Sequence, residues 1–98
     1  MVDYIKRVLP VPGEVWKHFK GRYYVIIAIA KDASTGTLKV IYQPAPEHND
    51  ETVWVRSLDE FMSDIDLKKY PIEDYPEYHT QTYRFERVPN YEKLHIQH

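Results

Sequence analysis

Apolar and polar positions along this chain fall into several short runs at hairpin spacing, separated by turn residues. The longest apolar run, Tyr23-Tyr24-Val25-Ile26-Ile27-Ala28-Ile29-Ala30, lies between Gly21-Arg22 and Lys31-Asp32. It shows neither helical spacing nor clean alternation, so period alone leaves a buried strand and a buried helix open. Its β-branched and aromatic content selects the strand, because such side chains pack well on a pleated surface. Tyr23, Val25, Ile27 and Ile29 fall on one side, with Tyr24, Ile26, Ala28 and Ala30 on the other. Bulk on both sides predicts a central strand, covered on both faces for much of its length.

The flanking runs are shorter. Residues 14–20 read as a first strand, and Gly21-Arg22 as the tight turn that pairs it with the central one. The polar run 32–36 is the next turn, where Gly36 can take positive φ. Strand three spans 37–43, with Leu38, Val40 and Tyr42 alternating with Lys39, Ile41 and Gln43. Pro44 and Pro46 stop it, 47–51 is a polar loop, and strand four spans 52–56. Ser57 and Glu60 have the spacing of a capping box, which predicts a short helix to about residue 64 docking through Leu58, Phe61 and Met62. Residues 66–80 form a long loop or a loose hairpin extension, rich in tyrosine and proline. Strand five spans 81–88 and ends at Pro89. Before Pro10 and Pro12, Tyr4, Ile5, Val8 and Leu9 suit one or two helical turns or an extended arm. After Pro89 the tail folds back through Tyr91, Leu94 and Ile96, or frays. The expected fold is mainly β: a small SH3-like, partly open barrel of about five strands with one short helix. The organisation is an arm (1–11), the barrel domain (12–88) and a tail (89–98).

Composition narrows the classes. The chain has 98 residues, one domain's worth, with 43% hydrophobic residues and nine tyrosines, enough for a packed core. Thirteen basic against fifteen acidic side chains leave a formal net charge of −2, which argues against a general electrostatic grip on nucleic acid and leaves room for a local basic patch. Without cysteine there is no disulfide or thiol chemistry, and no stretch reaches the length of a signal-peptide core or a membrane span. A soluble cytoplasmic protein, not bound to membrane, is the expectation.

One ordered set of short motifs carries a resemblance. Pro12-Gly13, His18-Phe19-Lys20-Gly21, Tyr24, Ala30-Lys31, Val40-Ile41-Tyr42, Trp54-Val55-Arg56, Phe61 and Arg84-Phe85 follow one another along 12–88. That order resembles the DUF1653 domain family of small bacterial β-rich proteins, whose biochemical role is not established. The resemblance implies the β fold and a bacterial or phage source, and carries over no catalytic residue. Asp32-Ala33-Ser34-Thr35 stands where the family usually reads His-Ser-Glu-Thr, and Ser57 where it usually reads proline. The 66–80 segment and both termini are longer than usual for the family.

The candidate ligand site comprises His18, Lys20, Tyr24, Tyr42, Trp54, Arg56 and Arg84. His18 and Lys20 share a face, as do Trp54 and Arg56, because alternate strand residues point the same way. Were these faces to converge, aromatic planes would stand beside fixed donors, which suits a small planar or anionic, nucleotide-like ligand. The same residues have structural readings. Trp54, Tyr24 and Tyr42 can pack the core or rim, and Arg56 and Arg84 can pair with Asp59, Glu60 or Glu86 for about 0–1 kcal/mol. His18 can be a structural hydrogen-bond partner, or a group whose charge changes near neutral pH.

Nothing in the chain calls for a cofactor or a metal. The His95 and His98 tail lacks supporting ligands, and the 47–51 loop lacks the rhythm of a calcium loop. No nucleophile elbow, Walker loop or dinucleotide fingerprint is present. The leading expectation is a non-enzymatic binding module for a small planar or anionic ligand. A protein-interaction adaptor using the barrel surface and the 66–80 loop is the alternative. A nucleotide-directed enzyme with His18 as acid or base comes third. The oligomeric state is not readable.

Overall fold

The computed structural model describes residues 7–91. Five strands, β1 (Val15–His18), β2 (Tyr23–Lys31), β3 (Leu38–Pro44), β4 (Trp54–Ser57) and β5 (Phe85–Arg87), form one antiparallel sheet. Their order is β4-β3-β2-β1-β5, and one helix, α1 (Leu58–Phe61), follows β4 directly. The first hairpin turns at Gly21, whose φ of +114° suits a residue without Cβ. The second turns on Asp32, whose carboxylate accepts the N–H groups of Ser34 and Thr35 at 2.8 and 3.2 Å.

The register of β2 explains its missing period. Its partners run Tyr24↔Pro44, Val25↔Gln43 and Ile26↔Tyr42, then skip to Ala28↔Ile41 and Ile29↔Val40. Ile27 is therefore the extra residue of a β-bulge, and beyond it the side chains exchange faces. Tyr24, Ile26 and Ile29 pack on the core side. The expectation of cover on both faces is corrected: β2 is central in the sheet, but Ile27 is 45% exposed and only Ile26 is buried. Among the described residues, the core cluster is closed against a single face.

That face carries Trp16, Ile26, Val40, Tyr42 and Phe85, covered by Leu58, Phe61 and Met62 from α1 and its end. Phe61 stacks on Phe85 with centroids 4.0 Å apart, and Trp16 meets Phe61 edge-on at 5.6 Å. Such pairs add about 0.5–1.5 kcal/mol beyond the area they bury. The helix starts where the capping box placed it, with the Glu60 N–H donating to Ser57 Oγ at 3.2 Å. The Glu60 carboxylate is engaged by Arg56.

Curling brings the two edge strands towards each other. The Arg56 guanidinium, on β4, lies 5.9 Å from the Phe85 ring centroid, on β5. No ladder joins these edges, so the barrel is partly open. The seam is bridged instead by the segment after α1, where Arg84 N–H donates to Ser63 O at 2.8 Å and Ile65 N–H to Thr82 O at 3.2 Å. At the Trp16 end, Arg7 donates from Nη1 to Met62 O at 2.7 Å and from Nη2 to Phe85 O at 2.6 Å.

Other boundaries shift. Strand five is three residues, not the span 81–88, because Gln81 turns its side-chain amide to the carbonyls of Lys17 and Tyr83, both at 3.0 Å. Residues 66–80 are irregular as expected, with a 3-10 turn at Pro76–His79, but they are not loose. Tyr70 and Tyr78 both pack edge-on against buried Phe19, and Tyr75 stacks on Tyr78 at 5.2 Å. Residues 7–11 form no helix. Tyr91 returns to Tyr23 at 5.7 Å, while Tyr4, Ile5, Leu94, His95, Ile96 and His98 lie outside the described residues. Among the described residues no helix is long and apolar enough to cross a membrane.

Candidate functional site

The unclosed seam of the barrel holds a cleft of about 430 Å³, lined by four of the seven expected residues: His18, Lys20, Arg56 and Arg84. Topology explains the meeting. His18 ends β1 and pairs with Phe85 of β5, which sets Arg84 just before it at the same edge. Arg56 pairs with Val40 on the inner face and reaches across from the opposite edge. Lys20 enters from the first hairpin turn, beside its own neighbour Phe19.

The other three are placed differently. Tyr42 is in the core, edge-on to Phe61 and Phe85, and its hydroxyl accepts from Arg56 Nε at 3.1 Å. It holds Arg56 from beneath without lining the cleft. Tyr24 packs edge-on against Tyr42 at 5.2 Å and Phe85 at 5.9 Å, also outside the lining. Trp54 shares the inner face but sits at the free edge, 48% exposed and away from the cleft. The expected convergence of Trp54 with His18 is corrected by register. Trp54 lies opposite Tyr42, two positions before Arg56, and does not line the cleft.

Sequence reasoning missed five lining residues: Phe19, Glu60, Asp66, Lys69 and Tyr70. From the sequence, Glu60 reads as the N3 residue of the capping box and as a possible ion-pair partner of Arg56. Tyr70 reads from the sequence as part of the 66–80 surface, because its packing on Phe19 at 5.2 Å depends on a contact between distant segments. A closer signal was available in Asp66, whose carboxylate accepts the N–H groups of Lys68 and Lys69 and so starts the turn that carries Lys69 and Tyr70 inward.

Electrostatics distinguish the cations. Arg56 pairs with Glu60, as one reading of the sequence had it. Arg84 does not pair with Glu86, whose carboxylate accepts the N–H groups of Thr82 and Tyr83 at 2.9 and 3.1 Å. Arg84 Nε donates to Ser63 Oγ at 3.0 Å, and among the described residues no carboxylate forms an ion pair with Arg84 or Lys20. The Lys20 ammonium lies 4.9 Å from the Tyr70 ring centroid, and its hydrogen bond draws the Tyr70 phenol below its ordinary value.

Of the two readings of His18, the structural hydrogen-bond partner fits the geometry and the near-neutral switch does not. Burial first, and then Arg56, Arg84 and Lys20, push its imidazolium down to about 4. Its Nδ1 accepts the Lys20 N–H at 3.1 Å, so the neutral ring carries its proton on Nε2. The ring is fixed by stacking on Phe19 at 4.4 Å and meeting Phe85 edge-on at 4.9 Å. The cleft therefore offers a neutral N–H donor among permanent cations.

The 47–51 loop is occupied by structural bonds. Asp50 pairs with Arg22 at 3.2 Å, His48 Nε2 accepts the Tyr23 N–H at 3.0 Å, and the Tyr91 hydroxyl donates to Glu47.

A family model described as a protein of unknown function, DUF1653, matches residues 14–87. No curated protein matches the chain, and no solved structure does.

Proposed function

The chain belongs to the DUF1653 family, whose description assigns no biochemical role, and we propose that it is a non-enzymatic binding module for a small anionic ligand held in the seam cleft. One observation carries this reading. Four cations, Lys20, Arg56, Lys69 and Arg84, face two carboxylates, Glu60 and Asp66, in a cleft on a chain whose net charge is −2. At an effective dielectric near 20, a unit charge about 4 Å away is worth about 4 kcal/mol, so an anion here gains from Arg84 and Lys20 without first breaking an ion pair. The volume lies within the usual range for a small-molecule site. Phe19 and Tyr70 supply the aromatic surface that Trp54, Tyr24 and Tyr42 were expected to supply. A cysteine-free chain is compatible with work in a reducing cytoplasm.

The test is a thermal-shift and calorimetric panel of nucleotides, sugar phosphates, sulfate and small carboxylates. A ligand at a hundred times its Kd adds about 2.7 kcal/mol, which for a domain of this size moves Tm by about 10 °C or more. Arg84→Ala abolishes the shift, and Trp54→Ala, outside the cleft, keeps it. A panel that moves nothing, or a shift indifferent to Arg84→Ala, ends the proposal.

The adaptor reading draws on a different surface. Tyr70, Tyr75 and Tyr78 pack on one another, whereas Val53, Trp54 and Val55 are exposed at the edge of the sheet. A stoichiometric partner recovered by the wild type and lost with Trp54→Ala would favour it.

A further inference from the structure

Resting on that reading, we infer that the anion this cleft selects is a dianion carried by a phosphomonoester, in preference to a carboxylate or a phosphodiester. The first argument is charge. Glu60 neutralises Arg56, and the remaining cations, Lys20, Lys69 and Arg84, stand against Asp66 alone. A doubly charged group balances that excess, and a singly charged one leaves half of it uncompensated.

The second argument is the donor set. Among the described residues Arg84 has only Nε committed, to Ser63, which leaves its terminal N–H groups for a ligand. The Lys20 ammonium and the His18 Nε2–H add donors from the hairpin side. Three terminal phosphate oxygens take such a spread of donors, where a carboxylate has two oxygens and a diester has two free ones. The half-buried Tyr70 ring lines the same cleft, with the Lys20 and Lys69 ammonium groups 4.9 and 5.5 Å from its centroid.

The third argument gives the site a signature. Protonating His18 on Nδ1 would set two donors against each other, because that atom already accepts the Lys20 N–H. His18 therefore stays neutral between pH 5 and 7.5. The charged groups that face it and the cleft are Lys20 in the turn, Arg56 on β4, Arg84 beside β5, Glu60 on α1, and Asp66 and Lys69 in the loop. Tyr70 faces the same cleft, its phenol drawn below its ordinary value by the Lys20 hydrogen bond. The ligand titrates in that window, since the second ionisation of a phosphomonoester falls at about 6. Affinity then rises with pH, the reverse of an anion site built on an imidazolium.

The experiment compares phenyl phosphate, methyl phenyl phosphate, benzoate and sulfate on the intact chain by calorimetry at pH 5 and 7.5. Phenyl phosphate is expected to tighten about ten-fold between the two, following its dianion fraction, while sulfate, a dianion throughout, changes less than about two-fold. At pH 7.5 methyl phenyl phosphate and benzoate bind at least about ten-fold more weakly than phenyl phosphate, one missing charge being worth about one such step. If benzoate or the methyl ester binds as well as phenyl phosphate, or if phenyl phosphate weakens as pH rises, the dianion preference is wrong while the anion cleft stands. If none of the four binds, the cleft reading itself falls and takes this inference with it.

Discussion

Two ends of one sheet face are built from the same strands and behave in opposite ways. On β1, Trp16 and His18 are one alternate step apart and point the same way. Trp16 is 2% exposed beneath Phe61, whereas His18 lines an open, charged cleft. Each end also has its arginine. Arg7 has both terminal nitrogens donated to main-chain carbonyls, and its guanidinium lies 3.7 Å from the Tyr83 ring centroid. Arg84 has one nitrogen on a serine hydroxyl and, among the described residues, no ion pair. The same side chain is structural where both terminal nitrogens are held by main-chain carbonyls and available for a ligand where only Nε is engaged.

The sharpest way to break the comparison is at the sealed end. Phe61→Ala removes a fully buried ring stacked on Phe85 and should cost about 3–5 kcal/mol, read as a lower urea midpoint. A loss below about 1 kcal/mol would mean that this end is not what holds the barrel. Arg7→Ala leaves the Met62 and Phe85 carbonyls without their donor and should cost about 1.5–3 kcal/mol. Its anion-induced thermal shift should survive, in contrast to Arg84→Ala. Equal loss of ligand response in both variants would erase the distinction between the two arginines.

The smallest effect is a difference in slope at the open end. His18 has a folded value of about 4 against 6.5 when unfolded, so in that window the unfolded chain binds more protons. Stability due to His18 is complete above about pH 6.5 and is lost as pH falls towards 4. Wild type should therefore lose stability faster than His18→Gln on acidification through that range, with carboxylate contributions common to both. Parallel curves in denaturant titrations would show that His18 is free to charge.

How much of this was readable beforehand depends on the range of the interaction. The first hairpin, the Asp32 turn and the Ser57 cap are local, set by glycine conformation and by side chains bonding to main chain within three residues. The Arg56–Glu60 pair is local in the same sense, four residues apart. The bulge at Ile27 was not readable, because skipping one residue is decided by how β3 and α1 demand core side chains from β2. Nor was the packing of Tyr70 and Tyr78 on Phe19, across some fifty residues of chain.

The sequence by itself determined a cysteine-free β domain with hairpins at known places, one capped helix and a family membership over most of its length. It also named the cations. Only tertiary structure decided which of them meet, because β4 and β5 approach through the curl of the sheet and not through any pairing that a pattern records. The same curl set aside Trp54, seated Tyr42 in the core, and kept His18 neutral by burying it among three positive charges. Short-range geometry is encoded by neighbouring residues, whereas charge density in a cleft is a property of segments that are neighbours only after folding.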